Sequence, residues 1–272
     1  MGKKFSLNIG LNKVNSSKFI GKYKQLNNAE NDAFYYSEYA ARKGFETNKL
    51  IGKNATSDSF FSTLNKFSKS LNTNDILFVS YAGHGTRVED LNDDEPEDDK
   101  DEAIVLYDRI VLDDELQNIW LKFKGVRIFF LTDSCVNGRV SRLMEDYSFL
   151  PHEKYIFRGT DIEESQKDIE NNIGFYKSIR SISYQLSHTD EYSMIHIASC
   201  QNNQLADDGT KDDRESFLTG VFRKNIDLTN FTGSYKGAFQ VLKNNMPPWQ
   251  TPDWDNHNVN KTNNFEKSQF MD

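Results

Sequence analysis

The chain has 272 residues, and its 33 basic and 41 acidic side chains give a formal net charge of −8, which disfavours a nucleic-acid partner because the surface repels phosphate. No stretch approaches the ~18 consecutive apolar residues of a membrane span, and the N-terminal Met1-Gly2-Lys3-Lys4 lacks the apolar core of a signal peptide, so we expect no membrane partner. The two cysteines, Cys135 and Cys200, each follow an apolar run, so we expect a cytoplasmic protein with reduced thiols.

Apolar runs and helical periodicities divide the first half of the chain into alternating strands and helices. In order, they predict a strand at about residues 5–12, a helix from Asn31 to Ala41, a strand from Phe45 to Ile51, a helix from Ala55 to Leu71 and a strand from Asp75 to Tyr81. An acidic run from Glu89 to Glu102 follows, and self-repulsion should keep it extended unless a cation binds it.

The second half of the chain continues the alternation. The predicted elements are a brief strand from Ala103 to Leu106, a helix from Asp113 to about Lys124, a strand from Val126 to Thr132, a helix from about Glu163 to Leu186, a strand from Met194 to Cys200, and helices from Ser216 to Ile226 and from Ser234 to Asn244. The tail after Pro248 is polar and is expected to be partly loose. Strands that alternate with helices throughout predict an α/β sandwich with a mainly parallel central sheet.

Two apolar runs end in small residues that carry a reactive side chain. The run that starts at Ile76 ends at His84, between two glycines, and the run that starts at Ile128 ends at Cys135. A cysteine nucleophile needs a neighbouring base and donors for the oxyanion, and we expect the base to be His84 and the donors to be the backbone amides of Gly85 and Cys135. Taken singly, a turn histidine and a core cysteine are the simpler interpretations, but the two together at strand ends favour catalysis.

Several segments form a pattern: Tyr81-Ala82-Gly83-His84-Gly85-Thr86, Asp101-Glu102-Ala103-Ile104-Val105, Asp113-Asp114-Glu115-Leu116, Asp133-Ser134-Cys135, Ser199-Cys200 and Ser216-Phe217-Leu218-Thr219. The pattern resembles the catalytic domain of the metacaspases and their prokaryotic relatives, the orthocaspases. The resemblance implies a caspase-like α/β/α sandwich with a mainly parallel central sheet, forming a single peptidase domain over residues 1–272. Within it we expect a large-subunit-like part with the His/Cys dyad at residues 1–150, a linker and helix at 151–190, and a small-subunit-like part with a polar tail at 191–272.

The resemblance also implies a function. It is that of a cysteine endopeptidase that cleaves proteins or peptides after Arg or Lys, with Asp32 and Asp133 in the specificity pocket. Ala82 and Ser199 match further substrate-binding positions, although the family often has serine where this chain has Ala82. Asp32 also suits a helix N-cap, a role that can coexist with ligand contact. Paired carboxylates grip a guanidinium strongly, whereas selection of aspartate would need basic residues instead.

A calcium site is a further implication of the resemblance. Its ligands would be Asp101, Asp113 and Asp114, but the position seven after the catalytic cysteine, where calcium-dependent members have another aspartate, is Arg142. A cation beside an arginine is disfavoured, so we expect no required cofactor while calcium activation stays open.

Two other functions compete with peptidase activity. A caspase-like module that cuts weakly or not at all could use the same pocket to bind basic peptides or partner proteins, although intact His84 and Cys135 weigh against it. A flavodoxin-like nucleotide binder would need a Gly-rich phosphate loop after the first strand, and the sequence has none there.

The polar segment between the cysteine strand and the Met194 strand could restrain the enzyme until it is cut. It contains several basic residues that look exposed: Lys154, Arg158, Lys167, Lys177 and Arg180. We predict self-cleavage within this segment. The bond between Arg158 and Gly159 is the favoured one, because glycine removes steric hindrance and Thr160-Asp161 indicates a helix cap just beyond. From Lys167 to Arg180 we expect solvated helix side chains instead. An activating partner protein is compatible with this organisation.

Overall fold

The computed structural model describes residues 2–89, 100–135, 156–186, 192–259 and 264–272. The strands are β1 (Lys4–Gly10), β2 (Glu46–Ile51), β3 (Ile76–Ala82), β4 (Gly85–Glu89), β5 (Lys100–Val105), β6 (Ile110–Leu112), β7 (Arg127–Asp133), β8 (Ser193–Ala198) and β9 (Asp253–His257). The α-helices are α1 (Ala29–Arg42), α2 (Ser57–Ser68), α3 (Asp113–Trp120), α4 (Ile162–Asn171), α5 (Ile173–Leu186), α6 (Phe217–Phe222) and α7 (Tyr235–Asn245). Within these ranges, no helix is long and apolar enough to cross a membrane.

Six of the described strands form one central sheet in the order β2-β1-β3-β7-β8-β9. Neighbouring strands from β2 to β8 are parallel, and only the edge strand β9 runs antiparallel to its neighbour. The register places Ala82, the last residue of β3, opposite Asp133, the last residue of β7. The mainly parallel sheet that the sequence predicts is therefore confirmed, and its two central strands end side by side.

Helices cover both faces of this sheet. Successive side chains of a strand point to opposite faces, so an apolar strand presents residues that must be buried on both. Leu77 and Val79 pack on one side with residues of α2 and α3, such as Phe60 and Trp120. Phe78, between them, packs on the other side with residues of α1, α6 and α7: Tyr36, Tyr39, Leu218, Phe222 and Phe239. The two apolar layers hold the central strands rigidly, so the residues at the strand ends have a fixed relative position.

The observed elements differ from the sequence predictions in three places. A second, antiparallel sheet consists of β4, β5 and β6. The sequence predicts only part of its middle strand, since β5 begins at Lys100, inside the acidic run. The helix predicted from about Glu163 to Leu186 is two helices, separated at Asn172. The expectation of a loose tail is wrong for Asp253–His257, which forms β9. This strand lies at the sheet edge with little burial, so its sequence lacks the usual apolar alternation.

Close packing of α1 against β1 predicts a strict requirement for glycine at position 10. A Cβ atom added to Gly10 would lie 2.3 Å from the carbonyl oxygen of Ala29 and 2.7 Å from the Cβ of Ala33. We expect Gly10→Ala to lower the free energy of unfolding by about 1–3 kcal/mol through overpacking, measured by chemical denaturation. Gly174→Ala is the matched control, because a Cβ there has no neighbour within 4 Å and alanine favours a helix. Equal stability of the two variants would contradict the packing argument.

Candidate active site

The candidate site lies where β3 and β7 end. Beyond the paired residues Ala82 and Asp133, the amide of Gly83 donates to the carbonyl oxygen of Asp133 at 3.4 Å, which keeps the two chains together after the strands stop. His84 and Cys135 each follow two residues after the strand end, and both are buried, with 3% and 0% of their surface exposed. The fold thus brings both motifs to one edge of the sheet.

Backbone contacts fix the orientation of His84. Its Nε2 lies 2.6 Å from the carbonyl oxygen of Lys24, so that nitrogen carries the hydrogen, and Nδ1, which has no hydrogen-bond partner among the described residues, is left as the basic nitrogen. Burial lowers the pKa of His84, although the carbonyl of Lys24 and the backbone of Gly159 oppose the shift. The imidazole is therefore neutral and able to accept a proton. The Lys24 contact has no signal in the sequence, because any residue supplies a carbonyl.

Two amides converge on one carbonyl oxygen beside Cys135. The N–H of Cys135 and the N–H of Gly85 donate to the carbonyl oxygen of Arg158 at 2.7 and 3.1 Å. These are the two donors predicted from the sequence, and two amides aimed at one oxygen form the arrangement of an oxyanion hole. The thiol of Cys135 is next to that of Cys200, since both donate to the carbonyl oxygen of Gln204, at 3.1 and 3.7 Å.

The segment 156–160 lies in the site between two other stretches of the chain, with bridges at Phe157 and Gly159 and a bend at Arg158. On one side, the amide of Arg158 donates to the carbonyl of Ala206 at 2.9 Å, and the amide of Asp208 donates to the carbonyl of Ile156 at 2.8 Å. On the other side, the amide of Thr160 donates to the carbonyl of Gly85 at 3.1 Å. Bound peptides often add to a strand edge in this way, with main-chain bonds on either side.

The guanidinium of Arg158 is fully buried among three carboxylates. Its Nη1 lies 2.8 Å from Asp133, its Nε and Nη2 lie 2.9 and 2.8 Å from Asp208, and Nη2 also contacts Asp32. The expectation that Arg158 is exposed is wrong, because the pocket replaces the water that would otherwise solvate its charge. Lys167 and Lys177, by contrast, are exposed on α4 and α5 as predicted, whereas Lys154 lies outside the described residues.

Other backbone and hydroxyl groups hold the carboxylates in place. Asp32 accepts from the amide of Ser216 at 3.1 Å, Asp133 accepts from the hydroxyl of the same serine, and Asp208 accepts from the amides of Asn27 and Asn28 at 2.5 and 3.2 Å. Burial raises the pKa of Asp32 to about 7 and also raises that of Asp133, whereas the charge of Arg158 opposes both shifts. Burial alone would lower the pKa of Arg158, but the carboxylates hold it above its usual range.

The sequence predicts Asp32 and Asp133 as pocket residues but does not indicate Asp208. Of the other two positions assigned to substrate binding, Ala82 packs with Leu26 and Ala29 against Ile156. The hydroxyl of Ser199 donates to the carbonyl of Ser134 at 3.3 Å, so it supports the turn that carries the cysteine. Asp208 could not be distinguished by sequence from its acidic neighbours Asp207, Asp212 and Asp213.

The predicted calcium ligands lie on other elements than the three carboxylates around Arg158. Asp101 is in β5, and Asp113 and Asp114 begin α3, where the amide of Asp114 bonds to the carboxylate of Asp113 at 3.0 Å. Within the described ranges, no group of three acidic, histidine or cysteine side chains could hold a metal ion. Arg142 lies outside those ranges. Calcium binding therefore stays a prediction from the sequence.

Comparisons with known proteins agree with this architecture. The family model described as the caspase domain matches residues 13–263, so the fold is caspase-like. The chain belongs to this caspase-domain family of cysteine peptidases. The crystal structure of protein GSU0716 from Geobacter sulfurreducens is 31% identical with a TM-score of 0.79, and the match covers 94% of this chain and 93% of that one. The resemblance and fold class inferred from the sequence are thus confirmed.

Metacaspases are among the curated relatives. Metacaspase-1 of Saccharomyces cerevisiae (strain ATCC 204508 / S288c) is 32% identical over 164 residues, which are 54% of this chain and 36% of that protein. Metacaspase-1B of Aspergillus fumigatus is 31% identical over 163 residues, 54% of this chain and 38% of that protein. The matched region is therefore well under half the length of these relatives.

Removing the buried guanidinium should destabilise the protein in a pH-dependent way. We expect Arg158→Gln, in a Cys135→Ala background that prevents any cutting, to lower the free energy of unfolding by about 3–5 kcal/mol at pH 8. The loss should be smaller towards pH 6. In the variant, the buried carboxyls have raised pKa values and take up protons in the folded state at a higher pH than they do in the unfolded chain, so lowering the pH stabilises the folded variant.

Chemical denaturation at several pH values measures this effect. Arg223→Gln is the control, since its ion pair with Glu215 is 39% exposed on the arginine side and should contribute no more than about 1 kcal/mol at any pH. Similar, pH-independent losses in both variants would contradict the assignment of Arg158 to a buried charge cluster.

Proposed function

We propose that the protein is a cysteine endopeptidase that uses His84 and Cys135 to cleave after arginine, and less well after lysine, and that its first substrate is its own bond between Arg158 and Gly159. One observation carries the proposal. The carbonyl oxygen of Arg158 accepts from the amides of Gly85 and Cys135 while its side chain fills an acidic pocket. This arrangement supports attack on the adjoining bond, because the two amides already meet its carbonyl oxygen and one of them belongs to the residue that carries the thiol.

The chemistry follows from these contacts. His84 takes the proton of the Cys135 thiol, and the sulfur attacks the carbonyl carbon of the arginine. The negative charge that develops on the carbonyl oxygen is stabilised by the amides of Gly85 and Cys135. His84 then gives its proton to the departing amine, which is that of Gly159 in the intact chain, and water hydrolyses the thioester. The backbone of Gly159 lies beside the imidazole.

The pocket contacts support a preference for arginine over lysine. Asp208 faces Nε of Arg158, while Nη1 reaches Asp133 and Nη2 reaches Asp32. An ammonium group has no counterpart of Nε, and a single nitrogen cannot span carboxylates that are spaced for a planar fork. Lysine would therefore leave part of a buried acidic cluster without a partner, which is costly.

A module that binds basic peptides without cutting them remains the competing function, because the pocket contacts alone serve either role. The orientation of the Arg158 carbonyl favours cleavage, since retention of a peptide by its guanidinium would not require two amides at the adjoining carbonyl. The names of the metacaspase relatives favour cleavage as well. An activating partner protein and calcium activation stay expectations from the sequence.

The thiol of Cys135 should be required for self-cleavage. We expect purified wild type to convert into fragments of residues 1–158 and 159–272 on prolonged incubation, detected by intact mass, and Cys135→Ala and His84→Ala to remain whole with the fold retained. Cys200→Ala is the matched control, because it removes the neighbouring thiol and should still be cut. Cleavage at Arg158 in pure Cys135→Ala would rule out this nucleophile, and an active wild type that stays a single chain would rule out activation by this cut.

Each pocket carboxylate should contribute to the selection of arginine. We expect Asp32→Asn and Asp133→Asn each to lower kcat/KM on arginine peptide reporters at least about tenfold, equivalent to ~1.4 kcal/mol. Asp208→Asn should narrow the difference between arginine and lysine reporters, because it removes the partner of Nε.

Asp207→Asn provides the control for these variants, since its carboxylate accepts from the amide of Gly209 at 2.8 Å and lies beside the pocket. Its effect should stay within about threefold. A wild type that prefers aspartate reporters would show that the pocket is wrongly assigned.

A further inference from the structure

We infer that the site also selects apolar residues at the two positions before the arginine, so that its peptide substrates carry an aliphatic residue, then an aromatic residue, then arginine. The inference rests on the proposed peptidase function and adds to it the class of peptide that is cut. The template is the chain's own segment Ile156-Phe157-Arg158, which lies in the site as a substrate would.

The first of these positions is occupied by Ile156. Its side chain and that of Arg158 both contact residues of α1, namely Ala29 and Asp32. Ile156 packs against a small apolar cluster of Leu26, Ala29 and Ala82, all of them buried. Ala29 begins α1, the helix that also carries Asp32, so the aliphatic subsite lies beside the acidic pocket on the same element. An acidic side chain here would lose its hydration and face the pocket carboxylates.

The second position is occupied by Phe157. It pairs with Asp207 in an antiparallel bridge, and only 4% of its surface is exposed. A phenylalanine carries more apolar surface than most side chains, and here nearly all of it is removed from water. A glycine at this position would bury less apolar surface, and a charged residue would oppose burial.

Main-chain hydrogen bonds make the order of the two residues matter. The amide of Arg158 bonds to Ala206, and the carbonyl of Ile156 bonds to Asp208, so the peptide cannot slide without losing both bonds. The aliphatic and the aromatic subsites are therefore separate, and each is read at a fixed distance from the cut.

A set of four fluorogenic peptides tests the inference: Ile-Phe-Arg, Gly-Phe-Arg, Ile-Gly-Arg and Gly-Gly-Arg reporters. We expect kcat/KM for Ile-Phe-Arg to exceed that for Gly-Gly-Arg at least about tenfold, with each apolar residue contributing about threefold or more. In Leu26→Ala the advantage of isoleucine over glycine should fall while that of phenylalanine is kept. Ratios within one enzyme preparation do not depend on the fraction that is folded.

The assays are run on wild type and on Arg158→Gln, whose own segment lacks the guanidinium that competes for the pocket. If all four arginine reporters are cut at equal rates in both proteins, the subsite inference is overturned while the arginine peptidase stands. If none is cut by either protein, the proposed function falls and the inference with it. An advantage of isoleucine that survives unchanged in Leu26→Ala would overturn the assignment of the aliphatic subsite.

Discussion

The burial of one guanidinium among three carboxylates is the interaction on which the rest of the site depends. Burying an isolated charge costs several kcal/mol, and the cost is offset only where the charge is paired and its hydrogen bonds are made. Arg158 meets that condition through Asp32 at the start of α1, Asp133 at the end of β7 and Asp208 in the loop after β8. Elements far apart in sequence are therefore tied together at the sheet edge by a single side chain.

The same contacts affect the segment 156–160 in two opposite ways. They hold the Arg158 carbonyl against the amides of Gly85 and Cys135, which favours attack on the adjoining bond. They also occupy the pocket in which the proposed function places the arginine of an external substrate. Because the segment is tethered, its effective concentration at the site is far above that of a free peptide. A cut at Arg158 would change this balance, since the new chain end could leave the site and would no longer be held from both sides.

How much of this arrangement the sequence predicts depends on whether a residue carries a local signal. His84 and Cys135 do, because apolar runs end abruptly beside them, and Asp133 shares the motif of the cysteine. The carbonyl of Lys24 has none, since backbone groups are common to all residues. Asp208 lies in a stretch with several acids, and only the folded chain distinguishes the one that faces Nε of Arg158. The sequence does not predict β6 and β9 for a related reason: β6 has only three residues, and β9 is polar.

The charge balance of the pocket constrains how its occupant can be exchanged. Three buried carboxylates surround one guanidinium, and with that cation present burial still raises the pKa of Asp32 to about 7. Without the cation, mutual repulsion would raise the pKa values of the carboxyls further, because like charges at close range cannot all stay ionised in a site with little water. An emptied pocket would therefore take up protons or admit water and counterions. If another arginine replaces Arg158 directly, that cost is avoided. The charge balance therefore favours direct exchange of the chain's own segment for an arginine peptide, and it disfavours a step in which the pocket is empty.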